Sequence, residues 1–183
     1  TGAPHYVEMG HSQPTRHKKE LVERIGEVAK AANKAIGITN GPSHTEIIIT
    51  SEGPKIVEIG ARLGGDNITT HLVPLSTGIN MVECCITIAL GGKPDIEAKW
   101  SKASAIRYFS QKAGTIKQIK GIEEAKMMKG IQEICIVHGV GDEITEVTSS
   151  GARMGFIIAQ DINSSEAIKD CYDALKRIKI SIE

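Results

Sequence analysis

The sequence predicts an α+β fold in two parts, an antiparallel sheet with flanking helices over residues 1–95 and a smaller α+β subdomain over 101–183. Short runs of β-branched residues bounded by turn residues predict strands, and longer stretches with apolar residues at steps of three and four predict helices. The stretch 94–101 between the two parts is expected to be a linker, in which Trp100 packs rather than binds a ligand.

Composition excludes several classes of function. The 183 residues include 22 Lys+Arg and 22 Asp+Glu, so no excess of charge favours a nucleic acid or a membrane surface. Aromatic residues make up 3%, which leaves little for base stacking. No apolar run has the length of a membrane span, and no secretory leader is visible. The cysteines form no CxxC pair and predict buried free thiols in a reducing cytoplasm: Cys84, Cys85, Cys135 and Cys171.

The first part should contain three elements besides a central hairpin. Residues 6–9 predict a strand, and 15–36 predict a helix with Thr15 as its N-cap and Gly37 as its stop. After the hairpin we expect a loop over 66–74 and a buried helix over 76–90 that ends at a glycine pair. The apolar stripe of that second helix is Ile79, Val82, Ile86 and Leu90.

The second part alternates short strands and helices. Asn163, with Glu166 three residues later, predicts the start of the last helix by the pattern of a capping box. The predicted strands are 103–111, 114–119, 132–138, 143–147 and 155–161, and the predicted helices are 122–129 and 165–179.

The hairpin of residues 44–60 carries the chemistry. If Thr50 pairs with Pro54 across a three-residue loop, Ile48 lies opposite Ile56 and Glu46 lies opposite Glu58. Directly opposed side chains share a face, so the two carboxylates would repel unless a cation lies between them. A loop one residue longer would put them on opposite faces, and a surface hairpin with solvated glutamates is the plain alternative.

A hard cation with oxygen ligands suits such a pair, and Mg²⁺ completes its coordination with waters and substrate phosphates. Arg62 follows Glu58 by four residues and offers a planar fork for phosphate or carboxylate. Gly64 and Gly65 come next and let backbone amides approach an anion closely. The segment therefore predicts a site for phosphate and metal.

These residues resemble the metal-binding hairpin of the ATP-grasp ligases, a superfamily that includes biotin carboxylases and amino-acid ligases. The run Glu58-Ile-Gly-Ala-Arg62-Leu-Gly-Gly-Asp66 is most similar to the L-amino-acid ligase branch. The resemblance implies the C-terminal lobe of an ATP-grasp fold, with Mg²⁺ or Mn²⁺ held by Glu46 and Glu58 on the phosphates of ATP. Arg62 would meet the transferring phosphate. Many members have an asparagine that binds a metal ion at the position of Gly60. Whether this site would hold one metal ion or two therefore stays open.

The same resemblance extends to the substrate side. Gly10-His11-Ser-Gln-Pro14 is similar to a Gly-His-x-x-Pro segment of this branch, in which the histidine faces the substrate carboxylate and phosphate. From the pattern alone, His11 would be an ordinary loop residue. The resemblance also implies that Ile48 packs against adenine. It assigns acyl-substrate binding to the turn of Gly64, Gly65, Asp66 and Asn67.

The second part resembles the small C-terminal domain of the L-amino-acid ligases, mainly through turn glycines and the segment Arg153-Met-Gly155. Most of these glycines have a structural interpretation. Arg153 is the exception, since it either reaches an anion or forms a salt bridge between domains.

The resemblance implies an ATP-dependent carboxylate–amine ligase, in which an acyl phosphate formed with ATP is attacked by an amine. Its partners would be ATP and small carboxylate and amine substrates, with a homodimer as a further expectation. The match covers the C-terminal part of such an enzyme, so we expect the N-terminal domains to be absent here and this chain alone to be inactive. The alternatives are a bicarbonate-using enzyme of the biotin carboxylase or carbamoyl-phosphate synthetase type, and a non-catalytic binding module with the same fold.

Overall fold

A computed structural model describes all 183 residues, Thr1 to Glu183. Contacts divide the chain into two compact units: Thr1–Pro14 with Ser101–Glu183, here called the core unit, and Thr15–Trp100, here called the hairpin unit. The first 14 residues therefore group with the second predicted part. The elements are β1 (Gly10–Gln13), α1 (Lys19–Ala35), β2 (His44–Thr50), β3 (Gly53–Gly60), a π-helical turn (Ile68–Leu72), α2 (Val73–Thr77), α3 (Met81–Ala89), β4 (Ala103–Tyr108), β5 (Gly114–Lys120), α4 (Ile122–Lys126), β6 (Ile131–Ile136), β7 (Glu143–Ile144), a 3-10 turn (Ser150–Ala152), β8 (Gly155–Asp161), α5 (Ser164–Arg177) and β9 (Lys179–Ile182).

The hairpin unit consists of the antiparallel pair β2–β3, with α1 in contact with both strands. The prediction that this helix starts at Thr15 is wrong. Lys18 is the N-cap residue, in an extended conformation and without a side-chain capping bond, so the helix begins at Lys19. Its predicted end is confirmed, because Gly37 adopts a φ of 79° and its amide donates to the Lys34 carbonyl.

The region after the hairpin is more helical and more broken than predicted. The expected loop 66–74 contains the π-helical turn, and the expected helix 76–90 is two helices, α2 and α3. Gly78 separates them with a φ of 79°, and its amide donates to the Pro74 carbonyl at 2.8 Å. Asn80 then starts α3 by accepting a hydrogen bond from the Glu83 amide at 3.1 Å. Local capping therefore interrupts a regular apolar period.

The predicted burial of the α3 stripe is also wrong. Val82, Ile86 and Leu90 are 39, 56 and 83% exposed, whereas Cys84 on the same helix is buried. Ile79 is half-buried. No single helix is both long and apolar enough to cross a membrane; the pair Ile68–Thr77 and Met81–Ala89, bent by 110°, meets the length and composition criteria only when taken together.

The core unit is built on a four-stranded antiparallel sheet in the order β1-β4-β8-β6, with α5 in contact with all four strands. The predicted strand 6–9 is wrong. Tyr6 lies at a φ of 47°, which an extended strand does not allow, and the pairing strand is β1, where Gly10 lies opposite Arg107.

A second sheet of this unit has the order β7-β5-β9. Asn163 caps α5 as predicted, accepting from the Glu166 amide at 3.0 Å. The helix ends at Arg177 rather than at 179, because Ile178 is extended and the chain continues into β9, which was not predicted. One buried apolar cluster includes residues from both sheets and from α4 and α5: Ala103, Ala105, Phe109, Ile116, Ala125, Ile144, Met154, Ile157, Ala159, Ala167, Cys171, Ala174 and Ile178.

The four cysteines are free thiols, as predicted. Cys84 and Cys171 are buried, whereas Cys85 and Cys135 are half-buried, so the expected burial holds for two of them. Burial raises the pKa of the Cys171 thiol to about 12.

Candidate functional site

The hairpin places Glu46 directly opposite Glu58, and this part of the predicted register is confirmed. The turn that leads to this pairing differs from the predicted one. Thr50 pairs with Gly53, so the turn has two residues, and Ile48 lies opposite Lys55 rather than Ile56. A β-bulge between the Glu46 and Ile47 pairs restores the predicted partner for Glu46.

Each of the two carboxylates has a nitrogen-bearing side chain beside it. Glu46 Oε1 lies 3.5 Å from His44 Nε2, and Glu58 Oε1 accepts a hydrogen bond from Arg62 Nη2 at 3.2 Å. Arg62 Nη1 also donates to the Leu63 carbonyl at 3.1 Å. The side chains of Glu46 and Glu58 are 47 and 58% exposed, so both carboxylates are accessible to solvent. Water therefore screens the attraction between Arg62 and Glu58.

The donor set fits a hard divalent cation. Nowhere do three or more His, Cys, Asp or Glu side chains come together to hold a metal ion, so the protein offers two carboxylates here rather than a full cage. A zinc or calcium site built by protein alone would need more ligands. Mg²⁺ takes one or two carboxylates and completes its octahedron with waters and phosphate oxygens.

The turn after the hairpin is held in an unusual conformation. Asp66 and Asn67 adopt φ values of 52° and 59°, the left-handed region that few residues other than glycine occupy. The Gly64 carbonyl accepts from Thr69 Oγ1 at 2.8 Å, and the π-helical turn follows at once. Backbone strain and π-helical turns both concentrate at functional sites.

Ile48 lies two residues after Glu46 on β2, so the two side chains share a face of the strand. It is 56% exposed, and other β-branched residues of the hairpin are exposed as well, with Ile49 at 39%, Ile56 at 38% and Val57 at 62%. It is therefore available for contact with an apolar ligand surface.

His11 belongs to the core unit, whereas the other predicted site residues belong to the hairpin unit. It is a strand residue of β1, opposite Ile106, so the interpretation as a loop residue is wrong. Its carbonyl accepts from Arg107 Nη1 at 2.9 Å. The strand therefore fixes the backbone from which the half-buried imidazole projects.

Arg153 is a residue of the core. Its side chain is only 4% exposed, its guanidinium lies 4.0 Å from the centre of the Tyr108 ring, and Nη2 lies 3.5 Å from Glu8 Oε2. Both partners belong to the same unit, so these contacts stabilise that unit internally.

A cavity of about 900 Å³ lies within the core unit, and no predicted site residue lines it. Arg107 stands at its wall, 5.3 Å above the Tyr172 ring. The residues that line it include the apolar Met9, Phe109 and Val147.

Sequence reasoning missed His44. The signal was present, since His44 lies two positions before Glu46 and alternate residues of a strand share a face. The imidazole also lies close to Gly64, where a Cβ would come within 2.7 Å of His44 Nδ1. This approach depends on how the chain returns after β3, and no sequence pattern shows that return.

Residues 107–183 match the family model L-amino acid ligase C-terminal domain 2. The L-arginine-specific L-amino acid ligase of Bacillus subtilis is 32% identical over 143 residues, which cover 75% of this chain and 34% of that protein. The crystal structure of L-amino acid ligase from Bacillus licheniformis superposes with a TM-score of 0.84 at 24% identity, covering 98% of this chain and 45% of that one.

The biotin carboxylase domain of Hydrogenobacter thermophilus 2-oxoglutarate carboxylase, solved with MgADP and bicarbonate, superposes with a TM-score of 0.68 at 19% identity. It is covered to 39%, and this chain to 96%. The fold is thus that of the ATP-grasp enzymes. Within that class the chain is related to the L-amino-acid ligases, and its residues 107–183 match their C-terminal domain 2. The chain spans 34% of the length of the Bacillus subtilis ligase and 45% of the length of the Bacillus licheniformis ligase.

Proposed function

We propose that this chain is part of an ATP-dependent carboxylate–amine ligase of the L-amino-acid ligase type. In that reaction the γ-phosphate of ATP is transferred to a substrate carboxylate, and an amine attacks the resulting acyl phosphate and displaces phosphate. The observation that carries the proposal is the exposed pair of Glu46 and Glu58, with Arg62 bonded to the second carboxylate.

Glu46 and Glu58 would hold Mg²⁺, or Mn²⁺ in its place. When bound, the ion supplies positive charge that neutralises the phosphates. Arg62 is placed to exchange its exposed contact with Glu58 for an anionic substrate group, because a planar guanidinium can hold phosphate oxygens in a fixed fork. Phosphoryl transfer depends on positioning and electrostatic stabilisation, and these three side chains supply both.

The remaining predicted residues would shape the two ends of the site. Ile48 would pack against the adenine, and His11 would face the carboxylate and phosphate of the acyl substrate. The turn of Gly64, Gly65, Asp66 and Asn67 would bind the acyl substrate through backbone groups, since its left-handed residues and glycines leave the backbone open to close approach.

The relatives favour this proposal over bicarbonate chemistry. The relative at 32% identity is an L-amino-acid ligase, whereas the biotin carboxylase domain shares only the fold. A purely binding module would not need two opposed, exposed carboxylates with an arginine beside one of them. We further propose a cytoplasmic enzyme, because its four cysteines are free thiols. We propose no nucleic-acid or membrane partner, because the charges balance at 22 Lys+Arg and 22 Asp+Glu. A homodimer remains an expectation.

The test is a substrate screen with the protein that carries this chain. Phosphate release from ATP is measured with pairs of amino acids and, separately, with bicarbonate. We expect release that requires an amino acid as acyl donor and a second amine, with the dipeptide or amide detected by mass spectrometry. Release that depends on bicarbonate instead would overturn the proposal.

A further inference from the structure

His44 lies beside Glu46 in a restrained position. The two residues are alternate members of β2, and His44 Nε2 lies 3.5 Å from Glu46 Oε1. The imidazole is 23% exposed, whereas the carboxylate is 47% exposed. A more enclosed ring therefore stands next to a more accessible carboxylate, which is the arrangement of a supporting group rather than of a ligand at the surface.

The other side of the ring is closed by Gly64. A Cβ built on Gly64 would lie 2.7 Å from His44 Nδ1 and 3.1 Å from Cε1, so no larger residue fits without displacing the imidazole. Gly64 is itself fixed, since its carbonyl accepts from Thr69 Oγ1 at 2.8 Å and Thr69 is buried. The ring is thus held between the hairpin and the glycine turn.

We propose that His44 is a positioning residue that orients Glu46 for the divalent cation, with Gly64 as its backing. This inference rests on the proposed function of the Glu46–Glu58 pair. Carboxylates that bind metal ions are themselves held by hydrogen-bonding partners, and loss of such a partner costs about 10–100-fold in metal affinity. His44 Nε2 lies 3.5 Å from Glu46 Oε1, and an imidazole nitrogen that carries a proton can donate to a carboxylate from this position.

The position of His44 beside Gly64 also connects Glu46 to the glycine turn. The glycine turn is proposed to bind the acyl substrate, and the same ring touches the residue that opens this turn. Gly64→Ala should therefore disturb Glu46 through His44, although Gly64 has no carboxylate contact of its own. Gly26 in α1 is the control, because a Cβ built there would meet nothing within 4 Å and this glycine has no place in the proposed site.

The experiment measures the dissociation constant of Mn²⁺ in the presence of ADP, by the electron paramagnetic resonance signal of free Mn²⁺, on the protein that carries this chain. We expect His44→Ala and Gly64→Ala each to weaken Mn²⁺ binding by about 10–100-fold. The double variant should be no weaker than His44→Ala, since both changes remove one interaction. Gly26→Ala should leave the Mn²⁺ affinity unchanged.

Conservative variants separate positioning from folding. The amide nitrogen of glutamine can reach the place of the imidazole Nε2, whereas that of asparagine is too short. His44→Gln should therefore keep an affinity near that of the wild type, and His44→Asn should lose it, with both thermal midpoints recorded. Equal affinities for these two variants would overturn the positioning role.

Glu46→Gln shows which proposal fails. If Glu46→Gln weakens Mn²⁺ binding but His44→Ala and Gly64→Ala do not, His44 is not a positioning residue, and the proposed function stands. If the wild type binds no Mn²⁺, or if Glu46→Gln binds it as tightly, the hairpin is not the metal site and both proposals fall.

Discussion

Glu46 lies directly opposite Glu58 across the β2–β3 hairpin, and each carboxylate has a different neighbour, His44 for the first and Arg62 for the second. Two opposed carboxylates on one strand pair repel each other. The guanidinium of Arg62 offsets part of this repulsion through its contact with Glu58. The hairpin can therefore present two accessible carboxylates and still be stable.

Arg62 should matter for turnover and not for stability. Its side chain is 55% exposed and its pair with Glu58 is solvent-screened, so Arg62→Ala should change the free energy of unfolding by less than about 0.5 kcal/mol. If it stabilises charge on the transferring phosphate, its loss should raise the barrier by about 3–4 kcal/mol.

Arg62→Lys should not restore turnover, because an ammonium lacks the planar fork. Thermal midpoints and ATP-dependent phosphate release of the wild type and both variants decide the matter. A large fall in the midpoint of Arg62→Ala, or turnover near normal, would show that Arg62 is structural.

Gly78 should be less tolerant of alanine than Gly91. Both residues have left-handed φ values, 79° and 80°, so alanine costs about 1–2 kcal/mol of backbone strain at either position. At Gly78 the new Cβ would also lie 2.8 Å from Lys99 Cβ and 3.2 Å from the Trp100 ring, whereas at Gly91 it would meet nothing within 4 Å.

Urea unfolding followed by fluorescence tests this difference, since Trp100 is the single tryptophan and its Nε1 donates to the Leu75 carbonyl. Gly78→Ala should shift the midpoint further than Gly91→Ala and change the native emission. Equal shifts would mean that the packing of Trp100 against Gly78 contributes nothing.

Two neighbouring aspartates should give opposite dependences of stability on pH. The Ile162 amide and the Lys129 ammonium lower the pKa of Asp161, whose Oδ2 lies 2.9 Å from Lys129 Nζ. Burial and a hydrogen bond to Asp161 raise the pKa of Asp170. Asp161 therefore stabilises the fold above its unfolded pKa and loses this effect as pH falls through its lowered value. Asp170 stabilises the fold below its unfolded pKa, and this effect is lost as pH rises through its raised value.

It follows that Asp170→Asn should raise the thermal midpoint at pH 7, and that the gain should shrink below about pH 4, where both states of the wild type bind the proton. Asp161→Asn is the contrasting variant and should lower the midpoint at pH 7. Thermal midpoints between pH 3 and 7 test both statements. An Asp170→Asn protein that is less stable than the wild type at pH 7 would contradict them.

The Cys171 thiol should be inert in the native protein. It is fully buried, Sγ donates to the Ala105 carbonyl at 3.4 Å, and burial raises its pKa to about 12. Very little thiolate is present at pH 8, and reagents react with the thiolate. Mass spectrometry after brief alkylation should find label on Cys85 and Cys135 and on Cys171 only after unfolding. Equal labelling of Cys171 in the native state would show that this part of the core opens readily.

The elements that sequence reasoning placed well have strong local signals. The β-branched runs of β2 and β3, and the Asn163 cap of α5, each act over a few residues. The pairing of Glu46 with Glu58 was predicted through a three-residue loop, yet it arises from a two-residue turn and a bulge. A bulge depends on how a pair of strands twists and packs, and residue spacing does not reveal it.

The failures share a cause in longer-range structure. The apolar period of residues 76–90 gave no sign that the glycine at 78 would turn left-handed and separate two helices. Strand β9 was not predicted although Ile178, Ile180 and Ile182 alternate with polar residues; this short segment becomes a strand by pairing with β5. The support of His44 by Gly64 likewise joins residues that only the fold brings together.

The central claim is that the Glu46–Glu58 pair holds the divalent cation of an ATP-dependent ligase. The most direct measurement is amino-acid-dependent phosphate release from ATP, titrated with Mg²⁺, for the wild type, Glu58→Gln and Glu52→Gln. Glu52 is the matched control, because it is a glutamate of the same hairpin that pairs with Lys55 at the turn. We predict that Glu58→Gln needs more Mg²⁺ and loses at least about 100-fold in turnover, while Glu52→Gln behaves as the wild type. Normal turnover and Mg²⁺ dependence in Glu58→Gln, or equal losses in both variants, would contradict the claim.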